Sequence, residues 1–269
     1  MAATRLEIAY DGSGFSGWAA QPGLRTVQAE LESALERITG ERIGLTVAGR
    51  TDAGVHALAQ VASFDHDGAL PDRLAERLNA LLPHDVAVRA VEPAPDGFDA
   101  RRDARSRTYR YRVLAAPERD PFEEHRALWW RHPLDLDRLA ACADAVVGTH
   151  DFTAFTPTET EHVRFEREVF QCSWSRERRP SPDPPAPGGE AEDAGGTSVF
   201  RKAGATLVFT IEADAFMRNM VRVLVGTMLE VGGGRRSLEG FRSLLDGAPR
   251  ERAGETAPAH GLYLISVRF

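Results

Sequence analysis

Ala48-Gly49-Arg50-Thr51-Asp52-Ala53-Gly54-Val55-His56-Ala57 separates two apolar runs, residues 43–47 and 60–64. Each run has the length and character of a strand, so the residues between them form a turn. Gly49 and Gly54 let the backbone bend there and come close to a ligand. Arg50 and Asp52 stand two residues apart on this turn. A carboxylate presented to a cleft can act as base or nucleophile. The spacing equally fits a polar surface loop with an Arg–Asp pair, because loops collect polar residues.

Outward from this turn the pattern is regular. Residues 5–10 alternate Leu6, Ile8 and Tyr10 with polar or small neighbours and read as a half-buried strand. Gly12-x-Gly14-x-x-Gly17 follows it, a spacing found in nucleotide-dependent oxidoreductases. A dinucleotide fingerprint must open a helix, whereas Trp18-Ala19-Ala20-Gln21-Pro22-Gly23 reads as a loop. A glycine-rich turn carrying Phe15 and Trp18 is the expectation. The first helix starts after Thr26, carries Val27, Leu31, Ala34, Leu35 and Ile38 on one stripe, and ends at Gly40. A second has Pro71 in its first turn and Leu74, Leu78 and Leu81 on one face, with Pro83 as stop. Residues 86–91 form a further strand. Strand, helix, strand, strand, helix, strand is the ferredoxin-like split unit.

The character changes near residues 100–104. Arg101, Arg102, Arg105, Arg107, Arg110 and Arg112 crowd around Tyr109 and Tyr111. Residues 108–114 form a strand with Tyr109, Tyr111 and Val113 on one face and Arg110 and Arg112 on the other. A helix follows Asp135, with Leu136, Leu139, Ala143 and Val146 inward and Gly148 as stop. Strands are expected at 163–174 and 206–213. Residues 176–203, with Pro180-Ser181-Pro182-Asp183-Pro184-Pro185, cannot bury a core and read as a long, exposed, partly disordered loop. Residues 217–231 form a helix apolar on most of its circumference, able to fill a core or an interface. A short helix at 237–245 and a last strand carrying Tyr263, Ile265, Val267 and Phe269 complete the chain.

The second half thus repeats the first. The expected fold is α+β: two ferredoxin-like, RRM-like units, residues 1–103 and 104–269. Together they form one continuous, mostly antiparallel sheet with helices on one face. The other face and the seam stay open for a large ligand.

The chain has 269 residues, 42% hydrophobic and 27% charged, as in ordinary globular proteins. No apolar run approaches the roughly 18 residues of a membrane span, and the N-terminus runs into a strand with no signal-peptide core. Cys142 and Cys172 show no metal spacing and read as buried thiols in a reducing cytoplasm. The net charge of -7 argues against a uniformly basic nucleic-acid binder. Lys202 is the single lysine, however, so a local arginine patch can bind phosphate inside an acidic shell.

Three further groups carry possible chemistry. The arginine cluster alternates with aromatics, which suits phosphate contacts and base stacking; it equally fits a solvated strand face paired with acidic residues. Tyr109 can face a site or pack in the core. Arg222 lies in an apolar helix and must find a partner, because an unpaired buried charge is costly. Asp52 across the seam is one choice; Glu230, Glu212, Asp214 or solvent are the others. His56, beside Val55 and Ala57, fits a packed residue or a proton carrier. No metal set, Walker-type loop or serine elbow is visible.

Six stretches carry a resemblance. Tyr10-Asp11-Gly12-x-x-Phe15-x-Gly17-Trp18, the Ala48–Ala57 turn, Phe98-x-Ala100-Arg101, Thr108-Tyr109-Arg110-Tyr111, Met220-Val221-Arg222-x-x-x-Gly226-Thr227-x-Leu229-x-Val231-Gly232 and Gly261-Leu262 resemble, in order, the TruA family of tRNA pseudouridine synthases. The resemblance implies the pseudouridine synthase fold and isomerisation of uridine to pseudouridine in the tRNA anticodon stem-loop, at positions 38, 39 and 40. It implies no metal and no organic cofactor, and a homodimer spanned by tRNA. It makes Asp52 the catalytic carboxylate and puts Tyr109 on the target uracil, assisting proton removal at C5. Arg222 then holds Asp52, and Arg50 helps displace the base and hold RNA, with Arg101 and Arg110 as further RNA contacts. The sequence departs from the family pattern at Asp99, where His is common, at Ala19-Ala20 after Trp18, where Gln is usual, and in the 176–203 insertion. A non-catalytic RNA-binding protein built on two RRM-like units is the rival reading; the intact trio of Asp52, Tyr109 and Arg222 speaks against it.

Overall fold

A computed structural model of the chain describes residues 2–160, 163–177 and 205–269. In chain order the elements are β1 (Ala2–Tyr10), α1 (Val27–Thr39), β2 (Thr46–Val47), β3 (His56–His66), α2 (Leu74–Leu81), β4 (Val86–Ala94), β5 (Ser106–Ala115), β6 (Leu128–Trp130), α3 (Leu136–Val146), β7 (Gly148–Asp151), β8 (Glu166–Glu177), β9 (Ala205–Ala213), α4 (Met220–Gly232), α5 (Leu238–Arg242) and β10 (Leu262–Arg268). All ten strands join one sheet in the order β4-β1-β3-β10-β5-β9-β8-β7, with β2 on β3 and β6 on β5. The orders β4-β1-β3-β2 and β10-β5-β9-β8 are the same arrangement met twice, the one expected of two split units.

The two arrangements meet on β3, whose outer edge is divided. Thr46 and Val47 of β2 pair with Ser63 and Ala62 near its C-terminal end. Tyr263 and Leu264 of β10 pair in parallel with His56 and Ala57 at its start. A strand edge offers each backbone group to one partner only, so the two strands take different ends of it. The strand expected over 43–47 keeps two paired residues, and the strand expected over 60–64 begins at His56 because β10 pairs it there. Strands β6 and β7 were not expected.

The helices follow from their stripes. In α1, Val27, Leu31, Ala34 and Leu35 are buried, and Gly40 closes it in the left-handed region. Thr26 occupies the N-cap, but its hydroxyl makes no capping bond. Asp135 does cap α3, accepting from the Arg138 amide. Arg73, at φ 58°, precedes α2, so Pro71 lies ahead of that helix rather than in its first turn. Helix α4 begins at Met220, not 217, because Asn219 at φ 62° interrupts it. Its Val221, Val223, Leu224, Val225, Met228 and Leu229 are buried in the chain's own core. Each such side chain contributes roughly 1.5–3 kcal/mol by leaving water. The helix is therefore fixed firmly and has no apolar face to spare for a partner, which removes it as an interface.

One core runs under the whole sheet. The opposite face is not wholly open: Ala48, Val61 and Ala100 form a second small cluster there, backed by Phe98 and Phe269. Cys142 and Cys172 are free and buried. No helix among the described residues is long and apolar enough to cross a membrane. The loop expected over 176–203 lies, beyond Glu177, outside the described residues.

Candidate active site

The turn between β2 and β3 is held from below at nearly every residue. Ala48 donates its amide to Val61 O at 2.9 Å. Gly49 O accepts from Gln60 Nε2 at 2.8 Å. The Thr51 hydroxyl shares a 2.7 Å hydrogen bond with Tyr10, and Thr51 O accepts from the Trp18 amide at 3.0 Å. Gly54 N donates to Phe15 O at 3.3 Å. A Cβ on Gly12 would stand 2.0 Å from Val55 O. Gly17, at φ +97°, lies against Thr51 O, 2.9 Å from where its Cβ would be. The Tyr10–Trp18 motif is thus the bed on which the Asp52 turn rests. Gly12–Gly14 is one 3-10 turn and α1 starts only at Val27, so these glycines serve close packing and open no helix.

Above this bed lies a cleft of about 1370 Å³ that reaches from Trp18 and Gln28 to the start of α4. Asp52, Tyr109 and Arg222 all line it. Asp52 hangs from the turn with its side chain 38% exposed, and Arg222 stands in the first turn of α4, 18% exposed. Arg222 Nη1 is 3.8 Å from Asp52 Oδ2. The other partners considered for Arg222 are occupied elsewhere. Glu230 pairs with Arg236 at 3.0 Å. Glu212 accepts from Ser106 Oγ at 2.6 Å and pairs with Arg268. Asp214 accepts from the amides of Glu168 and Ala215. The rest of the Arg222 fork donates to Ala257 O through Nε at 2.7 Å and to Asn219 Oδ1 through Nη1 at 3.0 Å.

Tyr109 is buried on β5 and meets the Phe216 ring edge-on at 5.0 Å. Burial pushes its phenol well above the usual tyrosine range; Tyr10 and Asp52 push the same way and Arg107 opposes them. Tyr10 is raised to about 12, chiefly by burial. Both phenols keep their protons at neutral pH. The only titratable anion at the floor of the cleft in this trio is the Asp52 carboxylate.

The arginine cluster divides into three uses. Arg50, Arg101 and Arg102 are exposed and line the cleft. Arg107 is buried, and its fork donates to four backbone carbonyls: Ala48 at 2.8 Å, Arg101 at 3.0 Å, Ala104 at 3.0 Å and Asp214 at 2.8 Å. It ties the residue that opens the Asp52 turn to β5 and to the end of β9. Arg112 pairs with Glu123 and Glu177. Arg110 stands on the strand face opposite Tyr109 and does not line the cleft. Sequence reading missed Arg107, Gln60 and Asn219 as parts of the site; strand parity, which puts 107 with 109, was the available signal for the first.

A family model described as tRNA pseudouridine synthase matches residues 7–102 and 142–269. The chain belongs to the tRNA pseudouridine synthase family. The tRNA pseudouridine synthase A of Thermus thermophilus is 42% identical over 97% of this chain and 94% of its own length. That of Frankia casuarinae is 41% identical over 98% and 88%, and that of Bacillus subtilis 39% over 98% and 98%. Asp52 and Arg222 fall inside the two blocks that match the synthase family. The departures from the family pattern leave both in place. Asp99 accepts from the amides of Arg101 and Arg102, each at 2.8 Å, and so shapes the turn that carries them. Ala20 donates its amide to the Gln28 side chain at 3.1 Å. The family glycine Gly226 lets residues 254–257 lie on the α4 backbone: a Cβ there would stand 1.9 Å from Glu255 O.

Proposed function

We propose that this chain isomerises uridine to pseudouridine in the anticodon stem-loop of tRNA, at positions 38, 39 and 40, with Asp52 as the catalytic carboxylate. The observation that carries the reading is the Asp52–Arg222 pair beside Tyr109 in one large cleft of a synthase-family fold. The reaction breaks the bond from uracil N1 to ribose C1′ and forms one from C5 to C1′. C5 gives up a proton and N1 gains one, so no atom is lost and no redox partner is required. The target base must leave its stack to reach the carboxylate, as other base-modifying enzymes require. Asp52 attacks C1′ or removes the proton at C2′; Arg222 stands opposite it as a counter-charge in either step. Tyr109, held protonated, forms an aromatic wall for the extruded uracil. A neutral phenol takes the C5 proton only by passing on its own.

Arg50 and Arg101 at the rim contact phosphates and help keep the base out of its helix. Arg110, on the far side of β5, has no part in this track. We also propose that residues 1–103 and 104–269 are the two halves of the molecule, that it acts as a homodimer, and that it works in the cytoplasm. These three rest on the repeated strand order, the family resemblance and the free thiols, respectively. Mapping pseudouridine in tRNA from cells with and without this protein tests the function. The expected result is loss of pseudouridine at anticodon-stem positions alone; an unchanged map contradicts it.

A further inference from the structure

The Arg222 guanidinium does not reach Asp52 unaided. Its nearest approach is 3.8 Å, longer than its bonds to Asn219 Oδ1 and Ala257 O at 3.0 and 2.7 Å. The fork is therefore aimed by those two acceptors. Ala257 is tied in return, its amide donating to Arg222 O at 3.1 Å. Asn219 stands at the N-cap of α4 with φ 62° and ψ -3°. In that left-handed conformation glycine, asparagine and aspartate are the residues at ease. Its carbonyl accepts the first helical bond, from the Val223 amide at 3.0 Å. Its side chain makes no capping bond to the helix and instead turns back to Arg222. Arginine can only donate, so the oxygen of the amide must face it. Glycine would satisfy the backbone here but would leave Nη1 without its holder. Asparagine satisfies both demands.

We infer that Asn219 is a positioning residue for isomerisation, fixing the Arg222 fork at the height from which it meets the Asp52 carboxylate. This rests on the reading of Asp52 as the catalytic group. With Asn219 removed, the fork keeps only its Nε bond to Ala257 and swings about it. Asp52 then loses a fixed counter-charge, while the rim arginines that hold RNA are untouched. Misplacement of a catalytic partner by about 1 Å can cost on the order of a hundredfold in rate.

The test uses single-turnover pseudouridine formation on an anticodon stem-loop RNA by the full chain. Asn219→Gly suits the left-handed backbone, so the fold should survive; a thermal melt checks that. Expected is a loss of about 10- to 100-fold in the rate at saturating RNA, with half-saturation unchanged within about twofold. In an Arg222→Ala background the same change should add nothing, because its effect passes through Arg222. Asn219→Asp, which keeps an acceptor oxygen and the backbone preference, should retain more turnover than Asn219→Gly. An Asn219→Gly enzyme as fast as wild type, a loss additive with Arg222→Ala, or the reverse order of the two variants would overturn the role of Asn219. In each of those cases an active wild type with an inactive Asp52→Ala leaves the reading of Asp52 standing. A wild type that forms no pseudouridine overturns both.

Discussion

Asp52 depends on a neighbour, Arg107, that acts by holding backbone. Arg107 spends its fork on four carbonyls, of which Ala48 O is the last before the turn. Arg107→Leu would strand these buried acceptors, each costing roughly 1–3 kcal/mol. The expected loss is about 3 kcal/mol or more, read as a lower urea midpoint at unchanged slope. Arg107→Lys should fall between, since a point charge with three donors cannot span the fork. A wild-type midpoint in Arg107→Leu would contradict the clamp. At this scale the sequence pointed well to polar residues in apolar settings. Arg222 in an apolar helix required a partner, and Asp52 on a glycine-bounded turn could meet it. It pointed poorly within the arginine cluster, where identical side chains clamp, line the cleft, face away from it or pair with glutamate according to backbone placement alone.

At the scale of elements, β3 departs most from the periodicity: it begins at His56, where β10 pairs with it. Apolar spacing over 43–47 is that of a strand, yet only Thr46 and Val47 pair with β3, while β10 pairs with the start of that strand. A pairing between segments two hundred residues apart leaves no local mark. Strands β6 and β7, of three and four residues, are too short to show a period. The glycines of α4 show the same limit from another side. Gly226→Ala would press a methyl into Glu255 O and shift the segment whose Ala257 O holds Arg222. Overpacking of this kind costs roughly 1–3 kcal/mol. The expected variant is both less stable in denaturant and slower in turnover. Unimpaired turnover would separate residues 254–257 from the placement of Arg222.

The molecule as a whole is joined at the seam around two histidines, His56 and His260. His56 accepts from the Gly12 amide at 3.1 Å through Nδ1, bonds His260 O through Nε2 at 3.0 Å, and stacks on Tyr263 at 4.6 Å. Burial lowers the titration points of His56 and His260 below the ordinary 6.5. Above 6.5 both rings are neutral folded or unfolded, and their contribution to stability is complete. As pH falls below 6.5 the unfolded chain binds these protons first, so stability declines toward the lower folded values. The expected urea midpoint is flat well above pH 6.5 and falls as the pH drops below it, with a shallower fall in His56→Gln. A midpoint independent of pH in that window would contradict a neutral His56 at the seam.

The cleft at that seam unites residues from a turn, a strand and a helix that lie far apart in the chain, and its central claim concerns one carboxylate. The most direct measurement is single-turnover pseudouridine formation on anticodon stem-loop RNA by wild type and Asp52→Ala, with RNA affinity measured alongside. The predicted result is a fall of about a thousandfold or more in rate at near-unchanged affinity. Turnover by Asp52→Ala near that of wild type would contradict the assignment of Asp52.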